Sequence, residues 1–306
     1  MKKIKEFLKQ FLWVRFFHRY LRQLYLKTFY STTKAKEKYI KKQFKKYLGY
    51  EIDFNKEPET FNQKIQFRKL YDNNPLYSIC ADKYRVREYV KEKIGEEYLV
   101  PLYLVTDKLT EEQWDKLPNS FVAKANHDSG TVRIIKDKNK VDKKKIIKEL
   151  NMSLKFDYGV LSAEKYYSDI PRKIVIEKLL VDKTGEIPKD YKFHCFKNKM
   201  IIQVDTDRFS KHKQDFYDEK WSKIFLECLA PNSTPEEIPK KPIILNKMIE
   251  KVKILSEKFN YVRIDIYVLE DKIYFGEMTF CPWSGLISFK PNVWDKEFGD
   301  YWGKDR

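Results

Sequence analysis

The chain has 306 residues, a formal net charge of +17, and 42% hydrophobic and 16% aromatic content. This composition suits a folded chain of two or three packed subdomains and excludes a disordered or low-complexity one. Cys80, Cys195, Cys228 and Cys281 stand far apart without a CxxC pair, which argues against a zinc site or disulfide framework and for a reducing, cytoplasmic compartment.

The charge is concentrated at one end. Residues 1–46 hold 15 Lys/Arg against Glu6 and Glu37, a balance of +13 that leaves only +4 for the other 260 residues. Within this arm Ile4, Phe7, Leu8, Phe11, Leu12, Phe17, Tyr20, Leu21 and Leu24 recur at helical spacing, with Lys and Arg on the remaining face. A basic amphipathic helix over residues 1–30 fits an anionic membrane surface. The alternative is that the helix packs on the body through its apolar stripe and its lysines are simply solvated. On the membrane reading the arm is separable and removal of residues 1–30 is expected to leave nucleotide binding intact, whereas on the packing reading the stripe is core and the truncated chain is expected not to fold. No stacking platform or helix-turn-helix pattern accompanies the charge, and nucleic acid is not expected as a partner.

Further along, FNQKIQFRKLY and DKYRVREYVKEKIG read as helices, the second closed by Gly95. Residues 98–105 read as a strand, and SFVAKANHDSGTVRII as strand, loop (126–131) and strand. A Lys-rich helix follows over 142–155 and a strand over 172–180. DYKFHCF and KMIIQVDTD pair as a hairpin, a Pro-rich loop follows, and a helix over 246–259 feeds the last hairpin. Hairpins without regular βαβ alternation indicate an α+β fold with antiparallel sheets.

That last hairpin, YVRIDIYVLEDKIYFGEMTF, poses an electrostatic problem. Val262, Ile264, Ile266 and Val268 form its apolar row, which leaves Arg263 and Asp265 on the other face. A three-residue loop of Glu270, Asp271 and Lys272 sets Asp265 opposite Glu277 and Arg263 opposite Thr279. Two facing carboxylates repel unless a cation lies between them, and a metal ion is the economical choice. Three lysines add phosphate-binding candidates: Lys83 after Asp82, Lys124 just before the small-residue loop, and Lys192 in DYKFHCF.

Taken in order, NPLYSICADKYRVREYVKEKIGEEYLVPLYLV, LPNSFVAKANHDSGTVRIIKDK, DYKFHCFKNK, DRFSKHKQDFYD and VRIDIYVLEDKIYFGEMTF resemble the TupA-like branch of the ATP-grasp enzymes, which is associated with bacterial surface polysaccharide and teichuronopeptide synthesis. The resemblance covers about residues 60–300. It implies ATP held between two antiparallel-sheet subdomains, with an N-terminal subdomain (59–118), a lid-type subdomain (119–182) and a Mg-binding subdomain (183–306) after the arm (1–58), which lies outside the resemblance. It further implies that Lys83, Lys124 and Lys192 meet phosphates, while Glu177, Lys178 and Leu180 serve adenine. Asp265, Glu277 and Thr279 then hold Mg²⁺, with Arg263 and Lys124 catalytic. His127, Ser129, Arg208 and Lys211 become substrate contacts. The implied reaction is ATP-dependent ligation of a carboxylate to an amine through an acyl phosphate, on a uronic-acid-containing glycan or its precursor, with the enzyme cytoplasmic and peripheral on the inner membrane.

The sequence departs from that pattern in four places. The flap keeps a single glycine, Gly130, and carries Asp128 and Thr131 where small residues are expected; Thr279 replaces the usual metal-binding asparagine; and Trp283 stands where a glycine is expected. Two other readings stay open: a glycosyltransferase, from the DxD pattern Asp205-Thr206-Asp207, and a non-catalytic glycan or membrane adaptor.

Overall fold

The computed structural model describes residues 12–206 and 211–303, which contain ten α-helices and ten strands in an α+β arrangement. The chain divides into two compact units that interleave in sequence. One takes the described residues up to 39 together with 82–84 and 101–179; the other takes 40–81, 85–100 and 180 onward.

The first unit is built on a four-stranded antiparallel sheet of β1 (Leu102–Thr106), β2 (Phe121–Ala125), β3 (Val132–Ile135) and β4 (Ile174–Glu177), in the order β1-β4-β2-β3. The strand expected over 98–105 starts only after Pro101, because residues Glu96–Tyr98 close a 3₁₀ turn. Phe121, Ala123, Ile174 and Ile176 bury one face of the sheet against Trp114, Ile147 and Leu150. Ile147 and Leu150 come from the helix Lys143–Ser153, where Asp142 caps the N-terminus by accepting from Lys145 N.

Helix α1 (Leu12–Phe29) packs on this unit in an orientation that neither reading of the arm anticipates. Its inward side carries Arg15, Arg19 and Arg22 together with Phe16, Gln23 and Leu26. Arg15 meets Glu149 at 3.5 Å, Arg22 donates to Leu161 O at 3.2 Å, and Gln23 Oε1 accepts from Asp157 N at 2.5 Å. Phe16 stacks on Phe156 with ring centroids 5.6 Å apart, and Leu26 is buried beside Phe156 and Leu161. Packing through the apolar stripe is thus corrected. The arginines find acids and carbonyls to meet, and Phe17, Tyr20, Leu21 and Leu24 of the stripe are exposed. Residues 1–11 of the expected helix lie outside the described residues.

The second unit is built on a six-stranded antiparallel sheet, order β10-β9-β5-β6-β7-β8. Its strands are β5 (Asp190–Phe196), β6 (Met200–Thr206), β7 (Lys213–Tyr217), β8 (Lys223–Ile224), β9 (Tyr261–Leu269) and β10 (Lys272–Thr279). Alternation in DYKFHCF sends Tyr191, Phe193 and Cys195 to one face and Asp190, Lys192 and His194 to the other. The registers Phe193↔Ile264 and Phe193↔Ile202 make the first face continuously apolar. The helix Leu245–Ser256 covers it with Met248, Val252 and Leu255.

The β9–β10 hairpin reaches its expected register by a different route. The turn has two residues, Glu270 and Asp271, both at positive φ (48° and 59°), and pairs Leu269 with Lys272. That alone would set Asp265 opposite residue 276. A bulge between Phe275 and Glu277 absorbs Gly276, so Asp265 still faces Glu277 and Arg263 still faces Thr279. The bulge also explains the sequence of β10. Before it, Ile273 and Phe275 point to the apolar face; after it, Met278 does, and Glu277 and Thr279 join the polar face.

Candidate active site

The polar face of the second unit gathers five of the candidate residues, Lys192, Arg263, Asp265, Glu277 and Thr279. Arg263 binds Asp265 with two nitrogens, Nε to Oδ1 at 2.7 Å and Nη2 to Oδ2 at 2.9 Å. The same Nη2 lies 3.1 Å from Glu277 Oε1 and 3.1 Å from Thr279 Oγ1. Three oxygens from three positions therefore converge on one point, and a guanidinium nitrogen sits there. The cation that the hairpin requires is supplied by the chain itself.

Lys192 is nearly buried among three carboxylates. It donates to Asp190 and, at 2.8 Å, to Asp265, and lies 3.8 Å from Asp205. Burial works against its charge, but Asp265 and Asp190 raise its pKa above the ordinary lysine value. Burial would likewise raise the Asp265 carboxyl, yet Arg263 and then Lys192 hold it down at about 2. Asp205 in turn accepts from Gln203, from Gln214 at 2.9 Å and from His212 at 3.2 Å. His194 continues the network. Its Nε2 donates to Gln203 Oε1 at 2.9 Å, since the Gln203 amide nitrogen is committed to Asp205, and its Nδ1 accepts from Tyr261 Oη at 2.8 Å. Burial pushes the imidazole pKa down to about 3, so it is neutral.

Four carboxyl groups, Asp190, Asp205, Asp265 and Glu277, face the two cations Lys192 and Arg263. The donor set is hard oxygen, as Mg²⁺ prefers. No group of three or more His, Cys, Asp or Glu with metal-holding geometry occurs among the described residues. Two carboxylates and a hydroxyl match an ion that keeps waters and substrate oxygens as its other ligands. The residues fit the ion, on the condition that Arg263 yields the shared point.

The first unit holds a second cluster around loop 126–131. Lys124, on β2, pairs with Glu177 Oε2 at 2.5 Å. Lys83 donates its backbone N–H to Asn126 O at 3.2 Å and its ammonium to Asp128 O at 2.5 Å. Asn126 anchors the loop base through Asp82 and Pro171 O, both at 2.8 Å. Asp128, where the flap departs from the expected glycines, is buried and turned away from solvent. It accepts from Thr131 Oγ1 at 2.5 Å, and Arg19 of α1 lies 3.6 Å from its Oδ2. Its carboxylate is therefore met by a cation of the arm. The arm's part in this loop has no signature in the sequence.

Several expected contacts look different in place. His127 is fully buried, its Nε2 3.1 Å from Phe156 O, so it braces the loop; the exposed flap residues are Ser129 and Gly130. Lys178 N–H donates to Pro101 O at 2.9 Å. Leu180, assigned to the second unit, is buried. Lys211 is exposed, and Arg208 lies outside the described residues. Trp283 adopts the conformation that its expected glycine would favour, with φ of 52°, and its ring stacks on His194 at 5.1 Å. Asp190 and Gln214 were not anticipated, although the alternation of DYKFHCF puts Asp190 on the face of Lys192.

A family model described as TupA-like ATPgrasp matches residues 63–303. The chain belongs to that family. As a TupA-like ATP-grasp protein it is an ATP-dependent ligase of the class that forms carbon–nitrogen bonds, and its two antiparallel sheets are those of the ATP-grasp fold. No curated protein sequence matches it. Among solved structures it is similar to a D-alanine-D-alanine ligase from Helicobacter pylori, at 14% identity and a TM-score of 0.43, covering 79% of this chain and 67% of that one. An ATP complex of the Bacillus anthracis D-alanine–D-alanine ligase matches at 16% identity and a TM-score of 0.41, covering 82% and 74%. N5-carboxyaminoimidazole ribonucleotide synthetase from Thermus thermophilus matches at 10% identity and a TM-score of 0.39, over 74% of this chain and 52% of that one.

Proposed function

We propose that the TupA-like chain joins a carboxylate on a surface glycan or its precursor to an amine, such as an amino acid or peptide, through an acyl phosphate. The observation that carries this reading is the convergence of Asp265, Glu277 and Thr279 on one cation position, which Arg263 Nη2 fills, with the charged Lys192 next to it on Asp265. A substrate carboxylate oxygen attacks the γ-phosphorus of ATP, the bond to ADP breaks, and the acyl phosphate forms. The amine then attacks the acyl carbon, inorganic phosphate leaves, and the amine proton passes to solvent. Lys83, Lys124 and Lys192 would take phosphate oxygens, and Glu177, Lys178 and Leu180 the adenine. Arg263 would stabilise the oxyanion. Asp265, Glu277 and Thr279 would hold Mg²⁺, which when bound neutralises phosphate charge.

The glycan class follows from the association of the TupA-like branch with surface polysaccharide and teichuronopeptide synthesis. With it goes a cytoplasmic enzyme, peripheral on the membrane where lipid-linked precursors are built, and the basic arm supports that location. No described helix is long and apolar enough to cross a membrane. The glycosyltransferase reading loses its motif, because Asp205 is buried mid-sheet with Gln203, Gln214, His212 and Lys192 as partners.

The test is ADP release with Mg²⁺ across a panel of uronic-acid glycans, each paired with amines. A ligase releases ADP and phosphate only when both acceptors are present, and Glu277→Gln abolishes the release. Release of a nucleoside diphosphate from a sugar donor would overturn the proposal in favour of a transferase, and no turnover with any pair would favour an adaptor.

A further inference from the structure

We infer that the outward face of α1, with the groove beside it, docks on an anionic lipid bilayer. This extends the proposed location to a particular surface and does not depend on the ligase chemistry. The helix spends its arginines inward, on Glu149, Asp128 and Leu161 O, and so leaves its large apolar side chains in water. Trp13 is 68% exposed, Phe17 57%, Leu24 51% and Phe29 62%, with Tyr20 and Leu21 between them. Positions 13, 17, 20, 21 and 24 form a single stripe. A contiguous patch of this kind marks an interaction site. Beside it lies a groove of about 420 Å³, walled by Trp13, Phe16, Phe17, Tyr20, Met152 and Phe156. Two exposed lysines, Lys148 and Lys155, complete its lining.

Charge selects the occupant. Lys27, which meets Asp157 only at 3.9 Å, and Lys34 and Lys38 are exposed nearby in the chain, and Glu37 is the one acid in residues 12–39. A second copy of the same surface would bring lysine against lysine, whereas anionic headgroups would meet the ammonium groups as the apolar stripe enters the acyl boundary. Trp and Tyr suit that boundary, where a ring can be half in hydrocarbon and half in water. Because α1 is already docked on the unit along its arginine side, binding requires no helix to form.

The full chain is sedimented with vesicles of phosphatidylglycerol and phosphatidylcholine, and with vesicles of phosphatidylcholine alone. The anionic vesicles are expected to bind at least tenfold more tightly, with weakening at 0.5 M NaCl as the lysines are screened. The variant Trp13→Glu/Phe17→Glu/Leu24→Glu is expected to lose this binding while melting like wild type, since its side chains face solvent. Should it melt lower, Phe17→Ser and Leu24→Ser made singly carry the test, each weakening binding severalfold. Equal binding to both vesicle types, or unchanged binding by these variants, overturns the inference. A dimer in solution that the variants dissociate overturns it in favour of a second copy.

Discussion

Arg263 Nη2 lies within 3.1 Å of Asp265, Glu277 and Thr279 at once, so the two carboxylates that flank it answer differently to neutralisation. Asp265 is buried and balances both Arg263 and Lys192. Asp265→Asn leaves those cations short of a partner and is expected to cost about 3 kcal/mol of stability, in the range for breaking a buried ion pair. Glu277 keeps 40% of its side chain exposed, so Glu277→Gln should cost less than about 1 kcal/mol. Both variants should lose turnover. Urea denaturation separates them, and an Asp265→Asn protein as stable as wild type would refute the network as described. His194 adds a pH dependence. Its folded pKa of about 3 lies below the ordinary 6.5, so the unfolded chain holds an extra proton between those values. Stability from this group is complete above pH 6.5 and falls as the pH drops toward 3. The slope approaches about 1.4 kcal/mol per pH unit for one proton. His194→Gln, although less stable overall, should lose that part of the slope between pH 6.5 and 4. Parallel stability curves for the two proteins would show that His194 is not held neutral.

At the scale of the element, the β9–β10 hairpin shows both what sequence can reveal and how. The pairing of Asp265 with Glu277 follows in sequence from a three-residue loop at 270–272, which also sets Arg263 opposite Thr279. The means were not legible. A three-residue loop and a two-residue turn with a bulge give the same pairing beyond residue 276, and the alternation of β9 does not distinguish them. The signal lay in β10, where the apolar positions change parity across Gly276. That glycine has a steric reason as well, since a Cβ there would meet Asp265 O at 2.9 Å and the Tyr267 ring at 3.1 Å. Gly276→Val should therefore push the strands apart at the bulge and shift Glu277 away from Arg263. The expected result is loss of turnover together with lower stability. A variant that retains wild-type ADP release would show that the bulge does not position Glu277.

For the whole molecule, the boundaries were the least legible feature, because each unit is assembled from separated stretches. Residues 82–84 belong with 101–179, and residues 85–100 with the long C-terminal portion, yet no linker composition marks either switch. The arm is the sharpest case. Its charge and stripe mark an appendage, and an appendage can be cut away without loss. In the structure α1 completes the first unit. Leu26 is buried, Phe16 covers Phe156, and Gln23 satisfies the Asp157 backbone N–H. Arg19 spans Phe156, its guanidinium 4.7 Å from the ring centre, to reach Asp128 in the phosphate-loop candidate. Removal of residues 1–30 would uncover Phe156 and leave the Asp128 carboxylate buried without its cation, next to the loop that Lys83 holds by Asp128 O. The truncated chain is therefore expected to melt several degrees lower and to bind ATP more weakly than the full chain. Arg19→Ala alone should reproduce part of both losses, by about 1–3 kcal/mol of stability for an uncompensated buried group. Differential scanning fluorimetry with and without ATP and Mg²⁺ measures both. Equal melting temperatures and equal ATP-induced shifts in the full and truncated chains would mean that the arm is an appendage after all.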